Sequence, residues 1–262
     1  MTTLPSIFIG HGAPTLAIES SPARNFLRQL GATLPTPKAI CCVSAHWETP
    51  HPMVNATPQP GTIYDFSGFP ATLYHMQYPA PGAPFYAGRV ATLLNDAGLA
   101  CQIDHRRGLD HGTWIPLYIM YPAANIPIFQ LTVLAGGSTT DHLALGRLLE
   151  PLREEGVLII GSGNATHNLR EFGANALNPT APAPEWVVAF DDWLRDTLQG
   201  GREEELLAYR ERAPFAARNH PTEEHFLPLF VALGAGGEGA PVRQLHASFS
   251  YGILSMASYA FG

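Results

Sequence analysis

Four short apolar runs constrain the fold of this chain more than any other feature. They occupy residues 6–10, 39–44, 126–133 and 157–161, include several β-branched side chains, and hold no charged residue. Runs this short are poor core helices, and their apolar character is continuous rather than alternating, as in strands covered on both faces. Helix-like patterns lie between several of them, at 23–34, 83–97, 140–155 and 186–198. In the third, Leu143, Leu145, Leu148, Leu149 and Leu152 supply the apolar stripe. Thr222 is a suitable N-cap for a further helix running toward Gly234, which would carry His225 in its first turn. The alternation predicts an α/β fold: one catalytic domain over residues 1–262, with a mostly parallel central sheet flanked by helices. Open sheets of this kind bind ligands beyond the carboxyl ends of their strands, so the active site is expected there.

The composition suits a buried sheet, because 46% of residues are hydrophobic and only 14% charged, enough for a large core but little for a charged coat. A net charge of −7, with no basic stripe, excludes a sequence-independent nucleic-acid binder. No basic leader precedes the first apolar run, which Gly10 and His11 interrupt, and no stretch approaches the roughly 20 apolar residues of a membrane span. A soluble, cytoplasmic protein is expected, with no membrane partner; nothing in the sequence specifies an oligomeric state. Cys41, Cys42 and Cys101 lack metal-type spacing, and adjacent Cys41 and Cys42 would face opposite sides of a strand as small buried residues.

Residues 49–84 break the pattern. Proline and glycine are interleaved there with Tyr64, Phe66, Phe69, Tyr74 and Tyr78, which rules out one regular element. Such a loop either walls a substrate pocket or crosses the surface as a rigid segment.

The histidines matter by position. His11 follows the first apolar run directly, His46 the second, and His167 stands just beyond the fourth. Imidazoles delivered from different strand ends meet in one crevice. Imidazole suits Zn(II), Fe(II), Cu(II) and Ni(II), and a catalytic centre commonly takes about three protein ligands while leaving positions open. His111 lies in another strand-to-helix turn and joins the set. His51, His75, His105, His142, His220 and His246 read as surface or loop histidines, with His75 and His220 flanking candidate pocket segments.

These residues fall within motifs that occur in order: Gly10-His11-Gly12-Ala13-Pro14, Ser44-Ala45-His46-Trp47, Asp110-His111-Gly112-Thr113-Trp114, Gly163-Asn164-Ala165-Thr166-His167-Asn168-Leu169 and Glu224-His225-Phe226-Leu227-Pro228. Through them the chain resembles the class III extradiol ring-cleavage dioxygenases, specifically the DOPA-dioxygenase-like branch. The likeness runs from about residue 4 to the C-terminus and includes Tyr64-Asp65-Phe66-Ser67-Gly68-Phe69-Pro70 and Tyr78-Pro79-Ala80-Pro81-Gly82. The resemblance implies a non-haem Fe(II) that binds both hydroxyls of a catechol, together with O2, and a ring opened beside the diol. It also implies His11 and His46 as metal-binding histidines, His225 at the third ligand position, His167 as the neighbouring acid/base, and His111 as a contact to substrate or bound oxygen. L-DOPA, caffeate or a related small aromatic diol, with O2, is the implied substrate pair.

The chemistry agrees with these roles, since a catechol must lose protons to chelate a metal and a neutral imidazole accepts one near physiological pH. An all-histidine set departs from the common pair of histidines plus one carboxylate, which Glu224 would restore; otherwise Glu223 and Glu224 favour a helix N-terminus by charge. Such a site also attracts Zn(II), with His167 as a fourth ligand in a resting form. The alternative activity is a zinc-dependent hydrolase using metal-bound hydroxide, though no H-E-x-x-H signature is present; noncatalytic metal binding is the third reading. Arg106 or Arg107 either meets a substrate carboxylate or is a surface arginine.

Overall fold

The computed structural model describes residues 3–173 and 178–262. The strands are β1 (Ser6–Gly10), β2 (Ala39–Thr49), β3 (Met53–Asn55), β4 (Gln102–Asp104), β5 (Ile128–Leu134), β6 (Val157–Gly163), β7 (Val242–His246), β8 (Phe249–Ser250), β9 (Leu254–Ser255) and β10 (Ser258–Phe261). The helices are α1 (Pro22–Thr33), α2 (Pro84–Asp96), α3 (His111–Met120), α4 (Thr139–Leu149), α5 (Pro151–Glu154), α6 (Glu185–Gln199), α7 (Glu203–Leu207), α8 (Tyr209–Arg212), α9 (Ala216–Asn219) and α10 (Leu227–Gly236).

One sheet runs β4-β3-β5-β2-β6-β1-β10-β7. Its centre is parallel, as expected: Ile40 pairs with both Ile128 and Leu158, and Ile7 with Ile160. Its edges depart from that, because β10 and β7 are antiparallel, as is β3 against β5. The C-terminal strands escape the apolar-run signal because residues 242–261 mix polar and apolar positions instead of forming one continuous run.

Strand alternation divides the core between the two faces. Cys41 packs with Phe8, Phe129 and the leucines of α4, whereas Cys42 packs with Ile7, Ile9 and Trp114 of α3. The adjacent cysteines are therefore buried on opposite faces, as the sequence implies. Each fully buried aliphatic or aromatic side chain stabilises the fold by about 1.5–3 kcal/mol relative to exposure, before the entropy of ordering is counted.

Three element boundaries differ from expectation. Pro151 divides the expected 140–155 helix into α4 and α5, since its ring excludes the preceding turn. β2 continues through His46 to Thr49, so His46 lies within a strand rather than after one; the register against β5 shifts between Val43 and Glu48, an irregularity of the kind that re-aims side chains. α10 begins at Leu227 because Pro228 fits only a first turn, so Thr222 is not its N-cap and His225 stands just ahead of the helix. Within residues 49–84, β3 and a 3₁₀ turn (Ala71–His75) punctuate an otherwise irregular path. No helix among the described residues is long and apolar enough to cross a membrane.

Candidate metal centre

Glycines bring the site together by allowing close backbone approach. A Cβ on Gly163 would stand 2.1 Å from His225 O, and one on Gly161 2.1 Å from Pro228 O. The segment carrying His225 thus lies directly against the end of β6, where Asn164 N–H donates to His225 O at 2.9 Å. At the start of α3, a Cβ on Gly112 would meet Ser44 Oγ at 2.5 Å and His46 Cδ2 at 2.9 Å. His11 leaves β1 with its N–H donating to Gly163 O at 2.9 Å.

Five histidines named from the sequence converge as a result. The His11 and His46 ring centroids lie 5.0 Å apart, and His225 sits 5.3 Å from the first and 4.9 Å from the second. His111 is 3.9 Å from His46 and 5.7 Å from His11. His167 stacks on His225 at 3.5 Å with the planes 7° apart. Donor atoms of His11, His46 and His111 lie within 4.8 Å of one another, as do those of His167, Glu224 and His225.

Neighbouring acceptors orient the rings. The Ser162 hydroxyl donates to Gly112 O, so its oxygen accepts from His11 Nδ1–H at 3.0 Å. His225 Nδ1 lies 2.9 Å from Glu224 Oε1, and His46 Nδ1 faces Asp65 Oδ2 at 3.6 Å. With its Nδ1–H given to Ser162, the His11 ring presents an Nε2 lone pair to His46. The Nε2 atoms of His11 and His46 are 3.2 Å apart. That separation suits imidazoles sharing one cation, which stand about 3.0–3.4 Å apart when the bonds are about 2.1 Å. The residues fit a divalent metal.

Two acids brace this arrangement. Asp110 is fully buried: it accepts from Ser44 Oγ at 2.7 Å, Gln130 Nε2 at 2.6 Å, Thr113 N at 3.2 Å and Arg107 at 3.2 Å. Arg107 also donates to His46 O at 3.2 Å. Asp65 accepts from the His111 backbone N–H at 3.0 Å; its Oδ1 is equally close to His111 Nδ1, but that contact lacks hydrogen-bond alignment. Burial raises the Asp65 pKa, yet the His111 and His46 contacts outweigh it and hold the carboxyl at about 2. Burial, reinforced by neighbouring imidazoles, lowers His11, His46 and His225 below the usual imidazole range. His167 is pushed down to about 4, chiefly by burial, with the Glu224 carboxylate opposing.

The rings open onto a cavity of about 690 Å³, whose lining includes Phe66, Phe69 and Phe172. Phe66 meets His111 edge-on at 5.5 Å. The aromatic part of the 49–84 loop therefore walls the pocket. Neither Arg106 nor Arg107 lines it: Arg107 lies over Trp47 at 4.5 Å and is held by Asp110. His142 and His220, expected at the surface, are both fully buried. Asp65 and Ser162 belong to the site although neither is among the candidates that the sequence singles out. Asp65 had a signal, as the single acid between residues 49 and 84; Ser162 had only its place between two glycines.

Strand-end imidazoles converging beside an aromatic-lined cavity define an α/β enzyme with a histidine-held metal centre. Residues 7–262 match the family of the catalytic LigB subunit of aromatic ring-opening dioxygenases, and the chain belongs to that family. A 4,5-DOPA dioxygenase extradiol of Beta vulgaris is 46% identical over 264 residues, covering 98% of this chain and 96% of the relative. The Escherichia coli K12 protein of the same name is 38% identical, covering 100% and 96%. The crystal structure of an uncharacterized protein from Escherichia coli K12 matches with a TM-score of 0.82 at 34% identity, over 99% of this chain and 100% of that one. The chain is accordingly an aromatic ring-opening dioxygenase, whose family implies a non-haem metal, an aromatic substrate and O2; the hydrolase and noncatalytic readings fall away.

Proposed function

We propose that residues 1–262 act as one catalytic domain that opens a catechol-type ring beside its diol, L-DOPA or a related catechol being the substrate, with Fe(II) held by His11, His46 and His225. The observation that carries this reading is the convergence of the His11, His46 and His225 rings, whose centroids lie 4.9, 5.0 and 5.3 Å apart, each with Nδ1 facing an acceptor: Ser162, Asp65 or Glu224. Glu224 is engaged with His225 Nδ1, which favours it as an orienting group over a ligand. The motif centred on His225 favours this residue over His111 for the third position.

Bound Fe(II) supplies open coordination positions for diol and O2 and the electrons that activate O2. The protein does the rest. His167, neutral near pH 7 and stacked on His225, accepts a proton from a substrate hydroxyl and returns one later in the reaction. His111 reaches toward the ring substituents from the Phe66 side. Phe66 and Phe69 cover the apolar ring and keep water from it. Zn(II) in the same site would give an idle form, with His167 as a fourth ligand.

The test is anaerobic loading with Fe(II), followed by catechols and air. A yellow ring-opened product with matching O2 uptake is expected; no product from L-DOPA, caffeate, protocatechuate or 4-methylcatechol would overturn the proposal. At saturating Fe(II), His225→Ala loses the metal and Glu224→Ala keeps it. The reverse outcome would restore a carboxylate ligand.

A further inference from the structure

The cavity carries a second polar feature, away from the imidazole cluster, that the ring-opening chemistry does not use. Glu19 lines it just after the 3₁₀ turn Pro14–Ala17, together with Thr15 and Tyr251. The Tyr251 hydroxyl lies 3.1 and 3.2 Å from the two Glu19 carboxylate oxygens and 2.9 Å from Thr15 Oγ1. Glu19 has no Lys or Arg partner among the described residues. A smaller cavity of about 250 Å³ shares these three residues, so the trio stands between the two cavities.

Tyr251 is held there under backbone constraint. Its φ is +55°, a left-handed conformation that L side chains rarely adopt. Its ring packs at 5.2 Å against Phe172, another cavity residue. Strain of this kind persists where the surroundings fix a side chain in place.

The charge pattern of the cavity is one-sided. Two carboxylates line it, Asp65 and Glu19, and no Lys or Arg does so among the described residues. Asp65 is engaged by His46 and His111; Glu19 holds only a hydroxyl. A substrate tail ending in a carboxylate would find no cation and would face Glu19. An ammonium tail would find a carboxylate without a cationic partner, held by the Tyr251 hydroxyl.

We infer that Glu19, set by Tyr251 and Thr15, determines specificity by binding the ammonium of a catechol amine, so that this enzyme favours catechols with a cationic tail over those with an anionic one. The inference rests on the catechol-cleaving reading of the site. Selectivity then resides in relative kcat/KM for catechols that share a ring and differ in tail charge.

The experiment compares dopamine, 3-(3,4-dihydroxyphenyl)propionate and uncharged 4-methylcatechol with the Fe(II)-loaded enzyme. Dopamine is expected to exceed the propionate by about tenfold or more in kcat/KM, mostly through KM. In Glu19→Gln the dopamine to 4-methylcatechol ratio falls about tenfold, Glu19→Asp retains most of it, and Glu19→Lys makes the propionate the better substrate. Equal use of dopamine and propionate by the unmodified enzyme overturns the inference, as does a Glu19→Gln enzyme slowed equally on all three. If none of the three is cleaved while L-DOPA is, the inference is overturned alone; if L-DOPA, caffeate and protocatechuate also give no product, the catechol reading fails with it.

Discussion

The carboxyl end of β5 and those of β1 and β2 all have histidines packed against them, yet only the second group keeps a nitrogen to spare. At β5, His142 is fully buried; its Nδ1–H donates to Ser138 O at 2.7 Å and its Nε2 accepts from Leu134 N–H at 3.0 Å. Both ring nitrogens are taken by backbone, and the ring serves as a peg between the strand end and the capped start of α4. In the metal centre, Ser162, Asp65 and Glu224 take or face Nδ1 of each ring, and the Nε2 atoms of His11 and His46 face each other at 3.2 Å. Burial at a strand end therefore does not make a site. Ring nitrogens that converge on one another, as the Nε2 atoms of His11 and His46 do, define it.

The most severe way to break this comparison is to remove the nitrogen assigned to proton transfer. His167→Gln is expected to lower kcat by roughly 10²–10⁴-fold, the range for losing a positioned acid/base group. Its iron content, measured by elemental analysis, stays at the unmodified level. His142→Gln, assayed under the same conditions at a temperature where both proteins remain folded, keeps kcat within about threefold. Loss of iron from the first variant would make His167 a ligand, and a comparable fall in kcat for the second would erase the distinction.

A smaller effect tests whether the acceptors behind the rings orient them. Ser162→Ala leaves His11 Nδ1 without its partner, and Fe(II) affinity is expected to drop about 10–100-fold, read by competition with a chelator. An unchanged affinity would mean that the sheet backbone alone aims His11.

The same distinction explains what was legible in the sequence. The parallel strands and the positions of His11, His46 and His167 follow from apolar runs ending at glycine or histidine, a local pattern that the hydrophobic effect imposes directly. The burial of His142 and His220 was not legible, because it depends on partners that are backbone atoms: Leu134 N–H for one, Ala165 O at 2.8 Å for the other. Backbone groups carry no side-chain signature. The role of Ser162 was hidden for a related reason, since its partners His11 and Gly112 lie 151 and 50 residues away. The start of α10 was legible in Pro228, but the N-capping preference of Thr222 pointed elsewhere and the geometry of proline prevails.

The smallest effect concerns the peg itself, through pH. Burial lowers the His142 pKa, with the Ser138 contact and Asp141 opposing. The unfolded imidazole titrates near 6.5, so as pH falls the unfolded state takes up the proton first. The stability contributed by neutral His142 is thus complete above about pH 6.5 and is lost progressively as pH falls toward the lowered folded value, at up to about 1.4 kcal/mol per pH unit. Protonation would set an N–H against the Leu134 N–H that now donates to Nε2. His11, His46 and His225 shift in the same direction, but they are common to the unmodified protein and to His142→Gln and cancel between them. Urea unfolding of both metal-free proteins should therefore show a stability gap that is widest near pH 7.5 and narrows toward pH 5.5. A gap that stays constant over this range would mean that His142 is not held neutral by its two backbone partners, and the contrast with the metal centre would then rest on geometry alone.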